Sequence, residues 1–218
     1  MSVSPEALDI SAHLIDRAPT QEPTPIDWSA LFGNDHPVEL EIGSGKGLFL
    51  ANAGLANPSR NFLGVELSKK YAHQAAERIA KKSLANVKVL PGDARQFLHQ
   101  FVPPNSVLAV HIYFPDPWWK KRHKKRRVFC EEFVVDVANA LLPGGHFHIA
   151  TDVEEYFGVM MALMSSHPEF ATLPTPEPTS PSHELDYLTS FERKYRLEGR
   201  SIYRAAYQKI ASDERAST

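Results

Sequence analysis

Cysteine is all but missing from this chain of 218 residues, where Cys130 stands alone. A single thiol closes no intramolecular disulfide, which fits a reducing compartment. No Cys and His residues occur at metal-ligand spacing, which argues against a structural zinc, and no metal is expected. Long apolar runs are lacking too. None approaches the ~18 residues a membrane-spanning helix requires, and no membrane partner is expected. The opening "MSVSPEALDISAHLIDRAPT" has no basic region leading into an apolar run, so it does not read as a secretory signal. Internal repeats and heptads are absent. These absences leave a cytoplasmic enzyme or binding protein as the expectation, with monomer and homodimer equally open.

What is present is a soluble composition, 43% hydrophobic and 23% charged, long enough for one domain with a full core. Its 24 Lys and Arg nearly balance 26 Asp and Glu. The balance is misleading, because "KKRHKKRR" at 120–127 is all Lys and Arg but for one His. The rest of the chain is distinctly acidic. This run lies mid-chain, between a buried strand and an amphipathic helix, so it is no dangling tail. Crowding like charges is unfavourable unless a polyanion neutralises them. Lys and Arg contacts to phosphates give salt-sensitive binding that reads no sequence.

Two proline-rich stretches punctuate the chain: "RAPTQEPTPIDW" (17–28), an entry arm, and "ATLPTPEPTSPSHE" (171–184), a long loop. Between them strand and helix signals alternate. Strands are expected at 37–42, 62–67, 87–94 (with its turn), 106–114, 146–152 and 201–210. Helices are expected at 48–56, 68–84 with Ser68 as N-cap, 128–142 closed by "PGG", and 153–166. The domain spans 37–212, with an arm at 1–36, whose role stays open and includes folding over bound RNA, and a tail at 213–218. Such alternation means a mostly parallel sheet with helices on both faces. Ligands then bind beyond the carboxyl ends of the strands. The unusual loops, 43–47, 66, 92–93, 115–127 and 152, all follow strands, so one crevice can collect them.

The first loop, in "ELEIGSGKG", is not a Walker A phosphate loop, because Lys46 is followed by Gly47 and not by Ser or Thr. Nor is it a dinucleotide fingerprint: Gly43, Gly45 and Gly47 follow G-x-G-x-G. With Glu41 ahead of them they resemble the first motif of Rossmann-like S-adenosylmethionine (AdoMet) methyltransferases. Bare glycines let the backbone approach a nucleoside, and Glu41 suits a cationic ligand, whereas a pyrophosphate prefers a helix N-terminus without that carboxylate. Glu66 ends the second strand, where an acid hydrogen-bonds a ribose diol. Asp93 in "PGDA" ends the third. Any one of these three acids is equally well an ordinary turn residue; all three at successive strand ends are not.

In "FPDPWW", Pro115 and Pro117 fix φ and bias their predecessors away from helix, so Asp116 is expected on a stiff extended segment. The segment is similar to the Asn/Asp-Pro-Pro-aromatic segment of nucleic-acid amino-methyltransferases, where acceptors meet a base edge and the aromatic stacks on it. Asp116 and Trp118 fit those roles by type; an Asx-Pro turn over a core Trp stays open.

Taken in order, "LEIGSGKG", "GVELS", "FPDPWWKKRHKKRR", "ATDVEEY" and "TSFERKYRLEGRSIYR" resemble the bacterial tRNA (guanine-N7)-methyltransferase family over about residues 37–209. The resemblance implies a class I methyltransferase fold: a mostly parallel seven-stranded sheet with an antiparallel last strand and helices on both faces. It implies methyl transfer from AdoMet to N7 of a guanine in the variable loop of tRNA, the m7G46 modification. Glu41, Gly43, Gly45, Glu66, Asp93 and Asp116 are implied to bind AdoMet, with Asp116 also the catalytic residue. Lys120, Asp152, Thr189, Ser190, Phe191 and Glu192 are implied to meet substrate, and Arg122, His123, Lys124, Lys125, Arg126 and Arg127 to meet RNA. Tyr113 and Trp119 depart from the family pattern, which often has Asn and Pro there. His73, His111, His123 and His148 read as structural or exposed, because N7 chemistry asks for no histidine.

Overall fold

The computed structural model describes residues 8–15, 23–118, 121–175 and 189–211. Seven strands among them form one sheet: β1 (Val38–Ile42), β2 (Asn61–Glu66), β3 (Val87–Pro91), β4 (Val107–Tyr113), β5 (Leu141–Thr151), β6 (Phe170–Leu173) and β7 (Tyr203–Lys209). Their order is β3-β2-β1-β4-β5-β7-β6. The first five run parallel, and β7 lies antiparallel to both β5 and β6. The mostly parallel sheet with an antiparallel last strand is the expected one. Around it lie α1 (Trp28–Phe32), α2 (Leu48–Ala56), α3 (Lys69–Ala80), α4 (Ala94–Phe101), α5 (Glu131–Ala140), α6 (Glu154–Met164), α7 (Ser190–Leu197) and a 3₁₀ helix, Lys121–Arg126.

Strand parity assigns the two faces. Val38, Leu40 and Ile42 of β1 join Phe97 and Leu98 of α4, Phe133, Val134 and Val137 of α5, and Tyr156, Met160 and Met164 of α6 in one core. The other face packs Phe62, Val87 and Val89 under Phe49 and Leu50 of α2 and Ala72, Ala75 and Ile79 of α3. Each fully buried Leu, Ile or Phe contributes about 1.5–3 kcal/mol. Glu39 and Glu41 therefore point toward the α2 side, and both are buried.

The boundaries differ from the sequence expectation in several places. Ser68 does cap α3, accepting from the Tyr71 amide, but the helix stops at Ala80, and Ser83 beyond it takes a left-handed φ of 52°. α5 gives way to β5 directly at Leu141, because that residue pairs with Val107; the β4–β5 register then shifts across the segment containing Gly144, whose φ is 79°. α1, α4 and α7 form where no helix was expected. β6 takes the first residues of the proline-rich stretch, since β7 offers a free edge that they pair with; residues 176–188 lie outside the described residues. The described part of the arm packs on the domain. Ile15 donates to the Val89 carbonyl at the β3 edge (2.8 Å), and Trp28 donates from Nε1 to Ser106 Oγ (3.0 Å) at the amino end of β4. Trp28 is thus at the opposite end of the sheet from the glycine loop.

Candidate active site

The chain leaves β1 through Gly43, Gly45 and Gly47, at φ of 76°, 53° and 69°, values that L side chains rarely adopt. The Gly43 amide donates to the Val65 carbonyl (2.8 Å). Glu66 accepts from the Gly45 amide at Oε2 and from the Ser68 amide at Oε1, both at 2.8 Å, and so ties this loop to the start of α3. The glycines serve different ends. A Cβ on Gly47 would sit 2.8 Å from Ala75 Cβ, so Gly47 lets α3 approach. A Cβ on Gly43 or Gly45 would meet no atom within 4 Å. Those two face open space.

Close by, Glu41 is 3% exposed, and its Oε2 has no hydrogen-bond partner. Burial, and then the nearby Glu66 carboxylate, hold its carboxyl well above the usual carboxylate range. A buried acceptor without a donor, next to a backbone cradle with room in it, fits AdoMet, whose ammonium supplies donors and whose sulfonium supplies positive charge. Asp93 follows β3 on the same edge and is exposed; its Oδ1 caps α4, accepting from Arg95 (2.8 Å) and Gln96 (3.2 Å) amides.

Beyond β4, the Phe114 amide extends the ladder to the Ala150 carbonyl (2.7 Å). The Asp116 segment is then not simply extended, because Phe114 and Trp118 both take left-handed φ, 53° and 42°. Each such residue costs on the order of 1–3 kcal/mol, strain that concentrates at functional turns. Asp116 itself is exposed. Ile42 pairs with Ile112, so the glycine loop and the Asp116 turn leave adjacent strands at the same edge of the sheet. The basic run follows as the 3₁₀ helix. Arg122, Lys125 and Arg126 are exposed, and Arg126 lies over the Trp118 ring (5.3 Å). Arg127 is engaged inward, donating from Nε to the Pro117 carbonyl (2.7 Å) with its guanidinium 4.8 Å over the Tyr156 ring. Lys120 and Trp119 lie outside the described residues, as do the side chains of His123 and Lys124.

α7 completes the rim. Thr189 caps it, its Oγ1 accepting from the Glu192 amide (3.0 Å). Glu192 is 3% exposed, and its Oε1 accepts from Arg204 (2.6 Å) and Arg196 (3.5 Å). Its carboxylate is therefore ion-paired within the protein. Asp152 pairs with Arg200, whose guanidinium lies 4.2 Å over the Tyr195 ring. Phe191, 49% exposed, forms an aromatic trio with Tyr195 (6.0 Å) and Phe114 (6.2 Å), so α7 abuts the Asp116 turn. Ser190 begins the helix, its side chain outside the described residues.

Sequence reasoning missed a polar chain under this edge, which enters at the exposed Arg60 and is buried at Glu39 and His111. Arg60 donates to Glu39 Oε1 (2.7 Å), Glu39 Oε2 meets His111 Nε2 (2.8 Å), and His111 Nδ1 meets the Tyr113 hydroxyl (2.8 Å). The available signal was parity: Glu39 and Glu41 on β1, and His111 and Tyr113 on β4, are spaced by two and so share a face.

A glycine-lined turn after β1, an acid ending β2 and this strand order define the class I AdoMet-dependent methyltransferases. Solved structures agree on the fold. The 16S rRNA methyltransferase KamB superimposes at a TM-score of 0.61 with 18% identity, over 84% of this chain and 94% of that one. A SAM-dependent methyltransferase from Aquifex aeolicus gives 0.54 with 13% identity, over 84% and 94%. The family described as "Putative methyltransferase" matches residues 35–205. A tRNA (guanine-N(7)-)-methyltransferase of Rhodopirellula baltica is 41% identical over 93% of this chain and 76% of its own length. That of Geobacter metallireducens is 36% identical over 88% and 92%. The chain belongs to the tRNA (guanine-N(7)-)-methyltransferase family.

Proposed function

We propose that this protein transfers the methyl group of AdoMet to N7 of a guanine in the variable loop of tRNA, giving m7G46. The observation that carries this reading is the shared edge: the strained Asp116 turn and the cationic 3₁₀ helix leave β4 beside the cradle that leaves β1. Gly43 and Gly45 offer backbone to the cofactor, Glu41 its unpartnered oxygen, and Glu66 and Asp93 acceptors along the nucleoside. When bound, AdoMet supplies an electrophilic methyl on a sulfonium.

Guanine N7 carries a lone pair and no proton, so no general base is required. The protein's task is to hold N7 about 3–3.5 Å from the methyl carbon, in line with the departing sulfur, and to keep water out. Asp116 accepts from the adjacent guanine N1–H and N2 donors and so fixes the base. Phe191 offers an exposed ring face beside it. Thr189, Asp152 and Glu192 act by building the rim, two of them through ion pairs to Arg200 and Arg204. Lys120 and Ser190 are assigned substrate contacts as well. Unstacking a base from folded RNA costs a few kcal/mol. Phosphate contacts along Arg122–Arg126 help offset it.

Incubation with labelled AdoMet and bulk tRNA lacking the modification tests the proposal through the nucleoside formed, which is N7-methylguanosine. Label on an exocyclic amine would refute it. Asp116→Ala lowers transfer by about 10²-fold or more while tRNA binding holds; equal loss of both defeats the role given to Asp116.

A further inference from the structure

The Arg60–Glu39–His111–Tyr113 chain serves no step described above. Glu39 is 5% and His111 6% exposed. Burying a carboxylate and an imidazole is costly unless each is satisfied. Here each link is partnered, and the chain ends at the active edge, on the last residue of β4.

Burial alone would raise Glu39, yet hydrogen bonding and charge from His111, then Arg60, outweigh it and leave the carboxyl below its usual range. Glu39 is thus ionised, and His111 Nε2 carries the hydrogen it accepts. Burial, then the charge of Glu41, hold the Tyr113 phenol well above its usual range. Tyr113 keeps its proton, and its oxygen, held 2.8 Å from His111 Nδ1, retains a lone pair with which to accept.

Glu41 pairs with His111 across β1 and β4 and shares the Tyr113 face. Tyr113 pairs with Ala150, and Ala150 with Arg204, which holds Glu192. Strands lie about 4.8 Å apart, so Tyr113 occupies a sheet position between Glu41 of β1 and Arg204 of β7, with the small Ala150 beside it. Phe49 holds its ring edge-on at 5.2 Å.

We propose that Tyr113 is a positioning residue of the methyl transfer, its oxygen fixed by the Arg60–Glu39–His111 chain as an acceptor that favours the cationic sulfonium over the neutral thioether left behind. The inference rests on the AdoMet reading. In the transfer the carbon–sulfur bond breaks, the carbon–N7 bond forms, sulfur keeps the electron pair, and the positive charge passes to the base; Tyr113 neither gains nor loses a proton.

Calorimetric titration of the full chain with AdoMet and with S-adenosylhomocysteine tests it. Tyr113→Phe weakens AdoMet binding about three- to tenfold, leaves S-adenosylhomocysteine within about twofold, and lowers kcat with KM for tRNA unchanged. His111→Phe keeps the ring stack on His148 (4.9 Å) but cuts both hydrogen bonds, and shifts the ratio the same way. The double variant shifts it no further than Tyr113→Phe. Parallel weakening of both ligands, or an unchanged ratio, overturns the proposal. Should His111→Phe fail to fold, the Tyr113→Phe ratio decides alone. A wild-type chain that binds neither ligand defeats the AdoMet reading instead.

Discussion

Arg127 is bonded through Nε to the Pro117 carbonyl at 2.7 Å, and its guanidinium covers the ring of Tyr156 on α6. The last cation of the basic run is therefore a strut between the Asp116 turn and the helix layer, while Arg122, Lys125 and Arg126 face solvent. The two roles separate experimentally. Arg127→Gln loosens the turn and lowers kcat about tenfold or more, with little change in the salt dependence of tRNA binding. Neutralising Arg122 and Lys125 together weakens binding and flattens log K against log[salt] by up to about 0.7–0.9 per charge. Filter binding across a salt series distinguishes them, and equal slope changes for both variants would contradict the assignment.

Gly47→Ala destabilises the ligand-free protein by about 1–3 kcal/mol, because it adds backbone strain to a 2.8 Å clash with Ala75. Gly43→Ala and Gly45→Ala carry the strain without the clash, and their Cβ atoms enter the cofactor cradle instead. Thermal unfolding with and without AdoMet reads the difference: Gly47→Ala lowers the melting temperature most, and the other two lose the ligand-induced rise.

Glu41 sets a pH dependence with a definite sign. Its carboxyl lies above the ordinary 4.5 in the fold, so the folded chain holds this proton more tightly than the unfolded chain. That stabilisation is complete below pH 4.5 and is lost as pH rises through the folded value. Glu41→Gln removes the dependence and raises the ligand-free melting temperature at neutral pH. A cation bound over Glu41 favours its ionised form, so AdoMet affinity rises with pH across the same window, and Glu41→Gln weakens binding about tenfold or more.

Glu192 and Arg204 form a largely buried pair, and removing one partner of such a pair costs about 3–5 kcal/mol. Arg204→Met is therefore strongly destabilising in urea unfolding, and Glu192→Gln lowers stability and kcat together. A Glu192→Gln protein of unchanged stability and low kcat would instead make Glu192 an open anchor for the base.

Much of the fold was legible in the sequence. Strands such as 106–114 carry long apolar runs because both faces are covered, and α3 and α6 repeat their apolar residues at helical spacing. Elements that the sequence left unread were short or paid for by partners elsewhere. α4 and α7 have eight residues each and rest on single caps, Asp93 and Thr189. β6 has four residues and exists because β7 pairs with it.

The site divides in the same way. Sequence alone determined the glycine spacing, the acids at strand ends, the proline-flanked Asp116 and the cluster of cations, since these are local patterns of residue type. Only the tertiary structure decided what each residue is free to do. It turned Arg127 inward, committed Glu192 to Arg204, engaged both Glu66 oxygens with backbone amides and linked Arg60 to Tyr113 across three strands. Partnership between groups 12 to 72 positions apart depends on strand order and register, and residue type does not encode either.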